Sequence, residues 1–334
     1  MKKSVISIGG VAVLIAATFS LWHLKTPQQT NAEPTHSKVQ YPSENLIKNN
    51  LWVLPDDQLK DGSNEIVLLV TGANNTGSGA WAWSYAAQLP KQNYIPATIT
   101  LPNMNSADLN YSGKFVYEAV AQLHRDYPQK NINIIAHSLG NLATSWALHY
   151  RPTFMAKHVK NYVALGAPFK GIQSAGFDKM PALASNDQTQ VPINFQVKAG
   201  SEFVKHINST PFPKPIRYLS IISQTDEIAA GQSPEHMASF PKGTEGETVT
   251  PQAIYQKPDM LLGHVEELAD NGIYEIATNF LEEREINPAA ADQKYYPEMQ
   301  KSGLDLTILY GTTKSHTGDA QKVEREPIST DIIE

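Results

Sequence analysis

The chain has 334 residues, 41% of them hydrophobic and 18% charged, the composition of a globular protein long enough to bury a large core. Its formal net charge is −6 and it carries no long basic run, so it lacks the electrostatic footprint of a nucleic-acid-binding protein. It has no cysteine, which excludes disulfides, thiol catalysis and cysteine-ligated metal sites.

Lys2 and Lys3 precede an apolar run from about Val5 to Leu24, the two leading parts of an export signal. Thr30-Asn31-Ala32 supplies small residues for cleavage, and Phe19-Ser20 is a poorer second point. Left uncut, the run is long enough to span a bilayer. The expectation is an exported protein, secreted or periplasmic, with a signal peptide over residues 1–32. The alternative is a membrane anchor formed by residues 5–24. Lys25 to Asn50 is polar and rich in Gln, Asn, Thr and Pro, so residues 33–50 read as a polar linker, 51–313 as the folded domain, and 314–334 as a polar C-terminal tail.

Within the domain, Glu65 to Val70 has the pattern of a buried strand and ends in a glycine-bearing loop, Thr71 to Gly77. Ala80 to Leu89 reads as helical and Tyr94 to Leu101 as a strand. Apolar residues at 115, 116, 119, 120 and 123 mark a helix. Ile132 to Ala136 is a short apolar strand, followed at once by Leu139, Leu142, Ala143, Trp146 and Ala147 at helical spacing. Val159 to Leu165 is a further strand. Gln173 to Asn194 is irregular, either a small cap or lid or a plain surface loop. Ile216 to Ser223 is a strand, and a polar excursion then runs to about Pro251. Met260 to His264 leads toward a last helix marked by Ile273, Ile276, Ala277, Phe280 and Leu281. Strands alternating with helices predict an α/β fold with a mostly parallel central sheet covered by helices on both faces.

The chemistry centres on Ala136-His137-Ser138-Leu139-Gly140. A serine stands on the turn between a strand and a helix, flanked by small residues where the two elements pass closely. That is the context of the nucleophile elbow of α/β-hydrolases, which makes 51–313 read as an α/β-hydrolase domain; a serine capping a helix is the plainer alternative. A serine hydroxyl needs a base to take its proton, and the base needs a carboxylate to hold it. In this fold the partners follow in the order serine, acid, histidine. Asp226 directly follows the Ile216 strand, with Glu227 its adjacent runner-up. His264 sits in an apolar and glycine setting before the last helix; His236 and His316 are the alternatives. His137 reads as a local supporting or surface residue, turned away from the serine. The oxyanion of an ester's tetrahedral intermediate needs backbone N–H donors. Leu139, after the nucleophile, supplies one, and Ala73 in the Thr71 to Gly77 loop is the best candidate for the other. Trp81, Trp83, Tyr85, Met180, Leu183, Leu261 and Leu262 lie in segments that could line an acyl pocket, although each taken alone is more often a core or packing residue.

Over roughly Glu65 to Phe280 the chain resembles the Candida antarctica lipase B-like serine lipases of the α/β-hydrolase superfamily. The matching stretches are Leu69-Val70-Thr71-Gly72, Phe169-Lys170-Gly171, Thr225-Asp226-Glu227-Ile228 and the approach to the histidine from Val249 to His264. The resemblance implies Ser138, Asp226 and His264 as a triad and Ala73 with Leu139 as oxyanion donors. It adds Gln196, in Asn194-Phe195-Gln196, as a residue lining the site. The chain departs from that pattern in its elbow, which looks more like that of bacterial lipases. It also has Ala73 where a threonine stands, Pro168 where an acidic residue stands, and no cysteines.

The expectation is a serine carboxylester hydrolase working through an acyl-enzyme, with lipid esters including triacylglycerols as substrates, at a lipid–water interface, without metal or organic cofactor. A short-chain or polyester esterase on the same triad is the alternative. A non-catalytic, membrane-tethered binding protein that kept the fold is the reading from a different class.

Overall fold

A computed structural model describes residues 42–55, 65–106, 108–173 and 193–292. The expected signal or anchor, most of the Gln173 to Asn194 stretch with Met180 and Leu183, and the tail with His316 lie outside these residues.

Seven strands form one sheet: β1 (Leu51–Val53), β2 (Glu65–Val70), β3 (Tyr94–Ile99), β4 (Asn131–His137), β5 (Val159–Leu165), β6 (Arg217–Ile221) and β7 (Gly246–Val249). Their order across the sheet is β1-β3-β2-β4-β5-β6-β7. Every neighbouring pair is parallel except β1 with β3. The principal helices are α1 (Glu44–Asn50), α2 (Gly77–Trp81), α3 (Leu109–Asp126), α4 (Leu139–Tyr150), α5 (Pro152–His158), α6 (Glu202–Ile207) and α7 (Asn271–Glu282).

Parallel strands joined by crossover helices are buried on both faces, which is why these strands read as unbroken apolar runs. The side chains nevertheless alternate. Ile66, Leu68 and Val70 of β2, Ile134 and Ala136 of β4 and Tyr162 and Ala164 of β5 face one layer. That layer is completed by α1, α3 and α4 through Ile47, Phe115, Val116, Ala119, Leu142 and Trp146. Val67, Leu69, Ile135, Val163 and Leu165 face the other layer, closed by Trp81, Tyr85, Ile273, Ile276 and Ala277. Each fully buried side chain of this size contributes about 1.5–3 kcal/mol relative to exposure.

This is the α/β-hydrolase architecture the alternation predicts. Three details differ from the sequence reading. Residues 44–50, read as the end of a linker, form α1, which starts at a Ser43 cap and buries Leu46 and Ile47 in the first layer. The polar excursion before Pro251 contains β7, an edge strand whose side chains are exposed or half-buried. The helix expected from Ala80 to Leu89 is divided between α2 and a separate turn at Tyr85–Gln88.

The parallel strands end on one edge. From that edge leave the Thr71 loop after β2, Ser138 after β4, Gly166 after β5 and the Ser223 to Glu227 segment after β6. Clefts at the carboxyl ends of such strands are where open α/β sheets bind ligands.

Candidate active site

Ser138 sits at the junction of β4 and α4 with φ 51° and ψ −128°. A non-glycine residue held there costs about 1–3 kcal/mol, and the surroundings must impose it. Here they do. The Ser138 N–H donates to the Leu165 carbonyl at 3.0 Å, and the Ser138 carbonyl accepts from the Asn141 N–H at 3.0 Å. The Asn141 amide also reaches Ser138 O at 3.1 Å and Leu165 O at 2.9 Å, and its oxygen accepts from the buried Tyr162 hydroxyl at 2.8 Å. The small residues flanking the elbow have a spatial reason. A side chain on Gly140 would stand 2.6 Å from Thr71 O and 2.7 Å from Val70 O. One on Gly72 would stand 2.8 Å from Ser138 Cβ, so the Thr71 loop lies directly against the serine.

That contact sets the loop carrying Ala73 against the elbow, whose helix begins at Leu139. Ala73 is half-buried on the turn of the loop. Leu139 is the first residue of α4, so its N–H has no acceptor inside the helix.

Asp226 and His264 form a hydrogen-bonded pair, Oδ2 to Nδ1, at 2.8 Å, with both side chains almost wholly buried. The second Asp226 oxygen accepts from the Ile228 N–H at 2.8 Å. His264 Nε2 is buried and has no hydrogen-bond partner among the described residues. Burial by itself lowers the pKa of His264, but the charge and hydrogen bond of Asp226 outweigh it, with Glu267 and Glu227 adding, and raise it to about 9.

The loop carrying His264 is fastened residue by residue. The Leu262 N–H donates to Thr225 Oγ1 at 2.9 Å, the Gly263 N–H to Glu266 Oε2 at 2.7 Å and the His264 N–H to Glu227 Oε2 at 2.8 Å. Glu227, the runner-up for the acid, thus holds the histidine's backbone while Asp226 holds its ring. Such charge-assisted bonds are worth about 1.5–3 kcal/mol each.

His137 is buried, not at the surface. Its Nε2 bonds the His264 carbonyl at 3.0 Å, and the two rings lie 4.6 Å apart. Burial, and then the nearby His264, push its pKa well below the ordinary value and keep it neutral. His137, His264 and Glu267 bring potential metal-ligating atoms within 4.8 Å of one another. One nitrogen of each imidazole is already engaged, His137 with the His264 carbonyl and His264 with Asp226.

The residues expected to line a pocket divide. Leu261 is 70% exposed, whereas Leu262 is buried in the second core layer. Trp81 and Tyr85 are packing residues of that layer, with Trp83 against its border. Gln196 is buried, and both ends of its amide are occupied: Oε1 accepts from the Leu109 N–H and Nε2 donates to Asp108 Oδ1, each at 2.8 Å. It fastens the start of α3. His236 lies in the excursion before β7 on a single helical turn. The sequence reading missed Glu267. In Val265-Glu266-Glu267-Leu268 nothing local separates it from Glu266, yet it is wholly buried beside His264.

The family model for lecithin:cholesterol acyltransferase matches residues 112–287, just over half of the chain and all three of Ser138, Asp226 and His264. No curated protein matches in sequence. Among solved structures, Aspergillus fumigatus lipase B superposes with a TM-score of 0.63 at 17% identity, over 85% of this chain and 70% of that one. The mature Bacillus licheniformis lipase BlEst2 gives 0.47 at 16% identity, over 60% of this chain and 89% of its own. A hydrolase from Oleispira antarctica gives 0.46 at 16% identity, over 74% and 99%. At 17% identity the likeness to Aspergillus fumigatus lipase B is one of fold.

Proposed function

The chain belongs to the lecithin:cholesterol acyltransferase family, and from that premise and the site geometry we propose that it is a serine carboxylester hydrolase acting on lipid esters through an acyl-enzyme. The observation that carries this is the buried Asp226–His264 pair, with Nε2 left free, at the same strand edge as the strained Ser138. Ser138 Oγ attacks the acyl carbonyl while His264 Nε2 takes its proton. The N–H groups of Leu139 and Ala73 receive the negative oxygen. Asp226 fixes the tautomer and stabilises the imidazolium, which then protonates the departing alcohol. Water enters, gives its proton to His264 and releases the acid.

Lipid esters, triacylglycerols among them, are supported by the resemblance to the lipase B-like enzymes and by the exposed Leu261 three residues before His264. The family's name describes moving an acyl group from lecithin to cholesterol, which favours a second reading in which an alcohol replaces water at the second step. The lysine pair and apolar run at the N-terminus support export of the chain, with a cleaved signal or an anchor. No helix among the described residues is long and apolar enough to cross a membrane.

The test is hydrolysis of p-nitrophenyl butyrate, p-nitrophenyl octanoate, emulsified triolein and a phosphatidylcholine, each with and without a sterol alcohol. The parent is compared with Ser138→Ala and His264→Ala. Activity in the parent and a loss of about 10⁴-fold or more in both variants is expected. Full activity in Ser138→Ala would remove the reading. Preference along the series separates a lipase from a short-chain or polyester esterase, and a sterol ester among the products identifies the transferase.

A further inference from the structure

One acid in the site has no part in the reaction described above. Glu267 is fully buried on the turn leading to α7. Its Oε1 accepts from the Ser223 N–H at 2.8 Å. Its Oε2, equally buried, has no hydrogen-bond partner among the described residues. The direction of that oxygen is marked by Gly166, in the left-handed region at φ 52°. A side chain there would collide with Glu267 Oε2 and lie 2.9 Å from Cε1 and 3.0 Å from Nδ1 of His264. The carboxyl oxygen and the Asp226-bound edge of the imidazole therefore converge on one point. Bonding the Ser223 N–H would need only an amide oxygen, so a glutamine would serve it without placing an ionisable group in the interior. Burying an unpaired carboxyl oxygen costs stability, so its retention calls for a role.

We propose that Glu267 is a positioning residue of the reaction, a second carboxyl group that acts through His264, stabilising its imidazolium beside Asp226 and holding the ring when Asp226 is absent. The proposal rests on the reading of Ser138, Asp226 and His264 as a triad.

The charges around the group fit this role. Asp226 and Glu227 face it from the segment after β6, His264 from its own loop, His137 from β4 and Tyr85 from the second helical layer. None of them is a lysine or arginine. Burial first, then the charge of Asp226, push the Glu267 pKa well above the carboxylate range, and the charge of His264 pulls it back. When the imidazolium forms, its charge draws Glu267 toward the carboxylate, and removing Asp226 removes the repulsion that opposes this.

The experiment compares kcat/KM on p-nitrophenyl butyrate for the parent, Asp226→Ala, Glu267→Gln and the double variant, with thermal melting to verify folding. Alanine at 226 leaves the imidazole edge open to Glu267. Asp226→Ala is expected to keep activity within about 100-fold of the parent, and the double variant to fall about 100-fold further, toward the 10⁴-fold loss that follows removal of a lone triad acid elsewhere. Glu267→Gln alone is expected to lose less than tenfold and to move the acid limb of the pH profile to lower pH, because one negative neighbour of His264 is gone. A double variant no less active than Asp226→Ala overturns the proposal. Should the double variant not fold, the far-downfield proton resonance of the His264 Nδ1–H decides. Its persistence in Asp226→Ala supports a second acceptor, and its loss together with a 10⁴-fold fall in activity overturns it. A parent inert to every ester, or active without Ser138, would instead sink the hydrolase reading itself.

Discussion

Asp226 and Glu227 are neighbours in sequence with different tasks, one bonded to the imidazole and the other to the backbone N–H of the same histidine. Both charges favour the protonated ring, and the pKa of His264 is raised to about 9. In the proposed reaction His264 is the base, and it works only when neutral. Below that pH the ring already carries the proton that it should take from Ser138. The kcat/KM profile of the free enzyme is therefore expected to climb with pH from neutrality, with its midpoint near 9. Glu227→Gln removes one of the negative neighbours, so its midpoint moves to lower pH, with a plateau loss of less than about tenfold. A midpoint near 6.5 in the parent, unmoved by Glu227→Gln, would contradict this account. At this scale the sequence was readable where a residue's chemistry and its place in the chain agree. Ser138, Asp226 and His264 each follow a strand end or precede a helix in the order the fold demands. Glu267 and the buried seat of His137 were not readable, because burial is set by elements distant in the chain: Gly166 and Ser223 for the first, the His264 loop for the second.

The contact between α3 and α4 shows how two helices present the elbow. Gly113 of α3 faces Trp146 of α4, and a side chain at 113 would stand 2.6 Å from Trp146 Cε3 and 2.9 Å from its Cβ and Cδ2. Helix propensity alone favours alanine over glycine there by about 1 kcal/mol. Overpacking against a rigid indole costs about 1–3 kcal/mol. Gly113→Ala is expected to lower the unfolding midpoint in denaturant, since the second effect wins. A raised midpoint would mean that the indole can give way. The same comparison explains which elements the sequence disclosed. The long apolar strands β2, β4 and β5 and the periodic helices α3, α4 and α7 carry their signal within themselves. β1 has three residues and β7 is polar at the sheet edge, so pairing with a neighbour defines them and their own pattern does not.

Across the whole molecule, stability and chemistry occupy different places. The site is assembled from strand ends on one edge of the sheet. α1 packs beside α3 and β1, and β3 and β2 lie between β1 and the strand that delivers Ser138. Ile47 is 1% exposed on α1. Ile47→Ala is expected to cost about 2–5 kcal/mol of stability while leaving kcat/KM unchanged at a temperature where the variant is folded. A fall in kcat/KM parallel to the loss of stability would show that α1 supports the site directly. The α/β class and the parallel sheet were readable from the alternation of strand and helix patterns. The position at which the domain begins was not, because Leu46 and Ile47 are the only apolar pair in a polar stretch.

Gly166 belongs to no recognisable motif, and its N–H is engaged by the Ile221 carbonyl. Yet the space where its side chain would be is filled by His264 and Glu267, and its backbone angle is one that other residues resist. In a saturation library selected for activity it should be as intolerant as Ser138, the proposed nucleophile. Anyone diversifying this scaffold would do well to hold it fixed and to place the randomised codons at Leu261, which is open to solvent.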